Sequence, residues 1–140
     1  AKLPLWREGL SYGHGTGHGI GFFLNVHEGP QSISAHPCDV NLEAGMVTSD
    51  EPGLYREGEY GIRIENVVLT YEKEQTHSGR FFAFETLTLC PYERRLIDPL
   101  LLTADEREWV DAYHRTVYEL LSPLLSVPER NWLLEKTVRL

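Results

Sequence analysis

Residues 12–21 read Tyr12-Gly13-His14-Gly15-Thr16-Gly17-His18-Gly19-Ile20-Gly21, with a glycine at every second position. Each glycine inside a helix costs up to about 1 kcal/mol relative to alanine, so this stretch cannot form a stable helix. In an extended chain successive side chains alternate between two faces, which places His14 and His18 on the same face. The other face carries only glycine and lets another part of the chain approach the backbone closely. The stretch therefore predicts an extended segment that carries two imidazoles.

Two imidazoles on one face can bind a metal ion or transfer protons. Their four-residue spacing is not that of a helical His-Glu-x-x-His zinc site, because the segment is not a helix. A glycine-rich loop with exposed histidines remains the alternative at this point. A third histidine, His27, ends a short apolar run and is followed by a turn at Gly29-Pro30, where a lone histidine is more often structural than catalytic.

Two carboxylates extend the set of candidate metal ligands. Glu51 follows an apolar strand and precedes the turn-forming Pro52-Gly53. Taken alone, this motif favours a capping or turn carboxylate. Glu65 shares one strand face with Arg63 and has apolar neighbours, so we expect it to be at least partly buried and to have a partner. That partner could be Arg63 alone. Together with His18, the two carboxylates suit a divalent ion such as Mn²⁺ or Zn²⁺ with open positions for water.

The residue pattern of the chain changes near residue 92, from strand-like to helical. Before it, β-rich or apolar runs predict four strands, and the polar stretch between the last two predicts a hairpin loop at Glu72–Arg80. The predicted strands are Phe22–Val26, Gly45–Ser49, Tyr60–Tyr71 and Phe81–Leu89.

After about residue 100, capping boxes at Thr103–Glu106 and Ser126–Glu129 predict the starts of two helices. Pro123 is expected to bend or end the first helix. An apolar stripe on that helix predicts core packing, with a partner-binding face as the alternative; its residues are Trp109, Tyr113, Val117, Leu120 and Leu124. The chain is thus expected to be α+β.

The composition of the chain argues against two classes of partner. The 140 residues carry a formal net charge of −8, which argues against nucleic acid as a partner. No apolar run approaches the ~20 residues that cross a bilayer, so no membrane partner is expected. Two cysteines without Cys-x-x-Cys spacing predict reduced thiols in a cytoplasmic protein.

Several runs of the sequence, in the same order and spacing, resemble the Xaa-Pro aminopeptidase (aminopeptidase P) family. The run Asn25-Val26-His27-Glu28-Gly29-Pro30 favours this family over the related methionine aminopeptidases, prolidases and creatinases. The likeness covers nearly the whole chain and implies the pita-bread fold, with a curved antiparallel sheet and C-terminal helices. The matching runs are residues 13–21, 24–30, 44–47, 50–53, 61–66 and 84–89.

The resemblance implies roles for individual residues. His18, Glu51 and Glu65 would be three of the five ligands of two divalent ions. Mn²⁺ is the expected metal, with Zn²⁺ or Co²⁺ as alternatives. Glu65 would bridge both ions, and Glu51 would also transfer a proton. His14 would contact the substrate near the scissile carbonyl, and His27 would stabilise the tetrahedral intermediate or shuttle protons. Arg63 would support the ligands from behind.

The implied reaction is hydrolysis of the bond between an N-terminal residue and a following proline. The family's other two ligands are aspartates upstream of the first histidine motif, whereas 13 residues precede His14 here. We therefore expect residues 1–140 to be the C-terminal portion of the catalytic domain, without its upstream half and N-terminal domain, and inactive alone. An incomplete domain exposes surface, so we also expect a homo-oligomer. A prolidase-type dipeptidase and a metal-free pita-bread binding module remain alternatives.

Overall fold

The computed structural model describes residues 1–23 and 25–140. It divides into two compact units, Ala1–Thr88 and Leu89–Leu140. The division falls close to residue 92, where the sequence pattern changes from strand-like to helical. Within the described residues, no helix combines the length and the apolar character that crossing a membrane demands.

The first unit is built from short antiparallel ladders. A three-stranded sheet has the order β3-β6-β7, while β1 pairs with β2 and β4 pairs with β5. The elements are α1 (Leu3–Arg7), β1 (Gly17–His18), β2 (Ser32–Ile33), β3 (Val47–Asp50), β4 (Gly53–Arg56), β5 (Tyr60–Arg63), β6 (Asn66–Thr76) and β7 (Gly79–Thr86).

The β3–β6 and β4–β5 ladders lie on either side of residues 51–52 and 64–65, and both follow the same antiparallel register. Asp50 pairs with Asn66 at the end of one ladder, and Gly53 pairs with Arg63 at the start of the other. Counting one step inward from either pair gives the same alignment, with Glu51 opposite Glu65. Strand pairing is thus interrupted where two of the predicted ligands face each other.

The strand predictions in this unit were partly right. The run Gly45–Ser49 is confirmed as β3, which starts later because Gly45 has a φ of 91° in the preceding turn. The predicted strand Tyr60–Tyr71 is two strands, β5 and β6, and Phe81–Leu89 corresponds to β7. The predicted loop Glu72–Arg80 was wrong. There β6 and β7 continue as a hairpin to a tight turn at His77-Ser78, because backbone pairing tolerates polar residues on exposed faces.

The predicted strand Phe22–Val26 was also wrong for its described residues: Phe22, Phe23 and Val26 form bends and Asn25 has no regular secondary structure, while Leu24 lies outside the described residues. Two backbone hydrogen bonds connect the residues around this segment. Gly21 N–H donates to Asn25 O (2.8 Å), and Glu28 N–H donates to Gly19 O (2.9 Å). These bonds hold His27 near the glycine-rich segment.

The second unit is helical. α2 (Ala104–Leu121) and α3 (Val127–Lys136) both begin with the predicted capping boxes, at Thr103/Glu106 and Ser126/Glu129. α2 ends two residues before Pro123, as predicted, and a 3-10 turn at Ser122–Leu124 follows. Another 3-10 turn covers Arg94–Leu96. The mixture of helices and antiparallel strands confirms the predicted α+β class.

The apolar stripe of α2 is only partly buried. Tyr113 and Val117 form the core of this unit with Leu133 of α3. Trp109, Leu120 and Leu124 are exposed by 52%, 55% and 80% in this chain, so the prediction that the whole stripe is core was wrong for them. The face that α2 buries instead includes two polar residues, Asp111 and His114.

His114 is fully buried, and its hydrogen bonds define its protonation. Tyr92 N–H donates to Nε2 at 3.0 Å, so Nε2 is unprotonated and the neutral ring carries its proton on Nδ1. Burial, with a smaller effect of the Arg94 charge, lowers the pKa of His114 below its ordinary 6.5, while Asp111 opposes the shift. Protonation of Nε2 would break the bond to Tyr92 and place a charge in the core.

We expect the stability of the second unit to fall as pH drops below the unfolded-state pKa of about 6.5. The unfolded chain binds a proton there that the folded chain excludes, so protons favour unfolding. Urea midpoints at pH 7.5 and pH 5.5 measure the effect. His114→Gln, which retains an acceptor for Tyr92, should reduce the drop between the two pH values, whereas His36→Gln at an exposed site should not. An undiminished drop in His114→Gln would contradict the assignment.

Candidate active site

Glycine allows the histidine-bearing segment to pack directly on β3. A Cβ added at Gly17 would overlap with the backbone of Ser49, so no other residue fits without movement of the backbone. The resulting contact is fixed by two hydrogen bonds: Glu51 N–H donates to Thr16 O (2.7 Å) and His18 N–H donates to Ser49 Oγ (3.0 Å). The close approach predicted from the alternating glycines is therefore confirmed, and it places His18 beside Glu51.

His18 and Glu51 form a donor pair suited to a cation. His18 Nδ1 lies 2.9 Å from Gly19 O. Because a carbonyl oxygen only accepts, Nδ1 carries a proton, so the lone pair of the neutral tautomer is on Nε2. Nε2 lies 3.4 Å from Glu51 Oε1, and the Glu51 side chain is only 13% exposed. A lone pair and a carboxylate oxygen that face each other need a proton or a cation between them.

Glu51 has two further partners. Ser49 Oγ donates to Oε1 at 3.1 Å, and Arg63 Nη1 lies 3.6 Å from Oε2. The serine thus supports both members of the pair, since it also accepts from the His18 backbone. Arg63 thus faces the carboxylate oxygen Oε2, whereas His18 faces Oε1.

Glu65 lies at the position directly opposite Glu51 in the common register of the two ladders. Opposed antiparallel positions place Cβ atoms about 4.5–5.5 Å apart, but among the described residues the Glu65 side chain does not join His18 and Glu51 in a group that could hold an ion. The expectation that Glu65 is buried was wrong for this chain, in which it is exposed. Its position at the break between β5 and β6 leaves it uncovered within the described residues.

Tyr55, which the sequence analysis missed, connects His14 with Arg63. Arg63 Nε donates to Tyr55 Oη at 2.8 Å. His14 Nδ1 donates to Gly15 O (2.7 Å), so in the neutral imidazole Nε2 is the acceptor, to which Tyr55 Oη donates at 2.8 Å. The hydrogen bond to Tyr55 raises the pKa of Arg63, with the charges of Glu51 and Glu65 adding to the rise, so the guanidinium stays protonated. The sequence could have indicated Tyr55 only through its closeness to a predicted ligand, since it follows Glu51 by four residues and lies on β4 in the structure.

His27 joins the cluster through His18. Their ring centroids are 4.2 Å apart with an interplanar angle of 40°. His14 also has an aromatic neighbour, Tyr12, at 4.7 Å. The structure thus brings His14, His18, His27, Glu51 and Arg63 into one connected region, with Glu65 across the ladder from Glu51.

The donors fit one side of a metal centre. His18 supplies an oriented lone pair and Glu51 a nearly buried carboxylate, which are the ligand types that Zn²⁺ and Mn²⁺ accept. They are not a complete set, since no three His, Cys, Asp or Glu side chains within residues 1–23 and 25–140 come close enough to hold an ion. Any metal centre built on this pair therefore requires further ligands.

Comparison with known proteins identifies the family. Residues 1–72 match the model of metallopeptidase family M24, and residues 80–140 match that of the C-terminal region of peptidase M24. The chain is 47% identical over 144 residues to a probable Xaa-Pro aminopeptidase P of Coprinopsis cinerea and 45% identical over 141 residues to aminopeptidase P1 of Lotus japonicus. Each alignment covers 98% of this chain, but 23% and 21% of the respective relative.

A solved structure agrees. The X-prolyl aminopeptidase of Caenorhabditis elegans, described as a cytosolic enzyme with a di-nuclear active site, superposes with a TM-score of 0.88 at 39% identity. The superposition covers 99% of this chain and 23% of that one, so the chain spans less than a quarter of the relatives it matches. This likeness confirms the predicted pita-bread type of fold. The chain belongs to metallopeptidase family M24.

Proposed function

We propose that residues 1–140 are the C-terminal portion of the pita-bread catalytic domain of an Xaa-Pro aminopeptidase. The enzyme would be a metal-dependent hydrolase that removes the N-terminal residue from peptides with proline at the second position. The identity to proteins named as Xaa-Pro aminopeptidases supports the substrate class. The observation that carries the proposal is the His18–Glu51 pair, in which an oriented lone pair faces a carboxylate oxygen at 3.4 Å.

His18, Glu51 and Glu65 are proposed to hold two divalent ions together with ligands from outside this chain. The di-nuclear site described for the C. elegans enzyme supports the number of ions. Mn²⁺ is our first choice because two of the three donors are carboxylates, with Zn²⁺ and Co²⁺ as alternatives. When bound, the ions would activate a water molecule and stabilise negative charge on the scissile carbonyl oxygen.

The chain's own residues would position the substrate and move protons. Glu51 is proposed to transfer a proton as well as to bind metal, and the Arg63 guanidinium, 3.6 Å from Oε2, keeps its carboxylate in place. His14, held by Tyr55 and Gly15, is proposed to contact the substrate near the scissile carbonyl. His27, packed on the His18 ring, is proposed to stabilise the tetrahedral intermediate or to shuttle a proton away from it.

The test is hydrolysis by the full-length protein that carries this chain. We expect cleavage of Xaa-Pro-Xaa tripeptides and longer peptides, loss of activity in EDTA and recovery with Mn²⁺. The matched substrates are Xaa-Ala-Xaa peptides, which should not be cleaved. Cleavage of Xaa-Pro dipeptides alone would indicate a prolidase, and peptide binding without cleavage at any metal concentration would indicate a metal-free binding module. Either result would overturn the proposal.

The isolated 140-residue chain is expected to bind Mn²⁺ weakly or not at all and to lack peptidase activity, because the ligand set within it is incomplete. Titration calorimetry with Glu65→Ala as the comparison measures this. Tight binding of two ions that disappears in Glu65→Ala would mean that a complete centre forms from this chain, against our expectation.

We further propose a cytoplasmic homo-oligomer. The description of the C. elegans relative as cytosolic supports the location. Large apolar side chains exposed on the helical unit, including Trp109, Leu124 and Trp132, support association between copies. Light scattering coupled to size-exclusion chromatography would report a single protomer mass if the association is absent.

A further inference from the structure

The Tyr55 hydroxyl reaches its two partners because its ring lies flat across the β4–β5 hairpin. Tyr55 and Gly61 are directly opposed in the ladder, as are Gly53 and Arg63. Side chains at positions i and i+2 of a strand share a face, so all four residues lie on one face of the hairpin. On this face, the two glycines occupy one diagonal, and Tyr55 and Arg63 occupy the other.

Both glycines are in contact range of the ring. A Cβ on Gly61 would lie 2.9 Å from Tyr55 Cδ1 and 3.4 Å from Cε1. A Cβ on Gly53 would lie 2.6 Å from Cζ and 2.8 Å from Cε2, and would overlap with the hydroxyl oxygen. The ring therefore occupies the volume that two side chains would otherwise fill, with Arg63 Cζ 5.7 Å from its centroid.

This packing differs from that of the glycines in the histidine-bearing segment. At Gly17 a Cβ would meet backbone, whereas at Gly61 it would meet only the ring of Tyr55, which is 42% exposed and can rotate away. Neither Gly53 nor Gly61 has a positive φ, so alanine suits the backbone at both. An added methyl group would thus displace Tyr55 and leave the hairpin otherwise unstrained.

We propose that Gly61 and Gly53 are positioning residues that hold the Tyr55 hydroxyl between His14 and Arg63. They act through Tyr55 and not on the fold. With the ring displaced, His14 Nε2 loses its donor and Arg63 Nε loses its acceptor, so the imidazole and the guanidinium behind Glu51 can both reorient. The effect on the reaction rests on the function proposed above for His14 and Glu51, whereas the effect on Tyr55 does not.

The test is a double-mutant cycle in the full-length protein, read by two measurements. Gly61→Ala should lower kcat/KM for an Xaa-Pro-Xaa peptide about tenfold, mainly through kcat, as losses of supporting hydrogen bonds do. Tyr55→Ala removes the ring and should cause a similar or larger loss. In that background Gly61→Ala should change kcat/KM by no more than about twofold, because nothing remains for the methyl group to displace.

The second measurement does not depend on activity. 3-Fluorotyrosine incorporated at position 55 gives a ¹⁹F resonance that reports the surroundings of the ring. Gly61→Ala should shift this resonance, and Gly53→Ala should shift it as well. Ile62→Val, next to Gly61 in β5, should leave both the resonance and kcat/KM unchanged.

An unshifted resonance in Gly61→Ala would overturn the proposal, and so would additive losses of kcat/KM in the cycle. A Gly61→Ala protein that fails to fold would also overturn it, since only an exposed ring has to move. If no Xaa-Pro peptide is cleaved by the parent protein, the proposed function fails while the ¹⁹F result still decides whether the two glycines position Tyr55.

Discussion

Glu51→Gln is expected to reduce kcat of the full-length enzyme on Xaa-Pro-Xaa peptides by about 10³-fold, the range seen when a catalytic carboxylate is lost. The amide keeps the size of the side chain and can still accept from Ser49. It removes the negative charge that faces His18 Nε2 at 3.4 Å and Arg63 Nη1 at 3.6 Å. The variant should therefore retain its fold and lose both metal affinity and the proton acceptor.

The measurements are steady-state kinetics, metal content by mass spectrometry and the circular dichroism spectrum. Glu57→Gln is the matched control: it changes the same group on the exposed turn between β4 and β5. Full activity is expected there. A Glu51→Gln enzyme that keeps both its metal and more than about a tenth of its activity would remove Glu51 from the proposed ligand set.

The features of the candidate site that depend on neighbouring residues could be predicted from the sequence, whereas those that depend on contacts between distant residues could not. The absence of a helix in the glycine-rich segment follows from local rules, because glycine spacing acts over neighbouring positions. The predicted extended conformation is found as a strand only at Gly17–His18, since Gly13, His14 and Thr16 lie in bends. The proximity of His18 to Glu51 comes from the contact between Gly17 and Ser49, residues 32 positions apart. The alternation indicated that something approaches the bare face, but not which strand does so.

Tyr55 illustrates the same limit on the scale of one hairpin. Its hydroxyl is functional in our proposal only because two glycines on the opposite diagonal leave room for the ring. Gly53 begins β4 and Gly61 lies within β5, and a glycine in a strand indicates a close approach without identifying what approaches. The diagonal is visible only when the register of β4 against β5 is known, and the sequence analysis had not predicted β4 at all.

The helical unit shows where periodicity misleads. The stripe on α2 has the spacing of a buried face, yet Trp109 and Leu120 are about half exposed, while His114 is fully buried. A helical pattern identifies a face without identifying its covering partner. The capping boxes were predicted correctly because each involves residues three apart in one turn, Thr103 with Glu106 and Ser126 with Glu129.

Leu133→Ala is expected to lower the free energy of unfolding of the helical unit by about 2–5 kcal/mol, the cost of replacing a buried leucine with alanine. All residues of α3 are described by the structure, and Leu133 is its one buried residue, at 2% exposure. It packs with Tyr113 and Val117 of α2. Since this side chain supplies the core contact of α3, its removal should also increase hydrogen exchange along the helix.

Leu134→Ala provides the control for this prediction. The neighbouring leucine has the same chemistry, lies in the same helix turn and undergoes the same change in helix propensity, but it is 50% exposed. Its replacement should cost no more than about 1 kcal/mol, because little apolar surface returns to water. Urea denaturation of both variants, with exchange of the α3 amides, gives the comparison. If Leu133→Ala and Leu134→Ala lower the free energy of unfolding equally, Leu134 is buried against a part of the protein outside these 140 residues. The core of the helical unit would then extend beyond Tyr113, Val117 and Leu133.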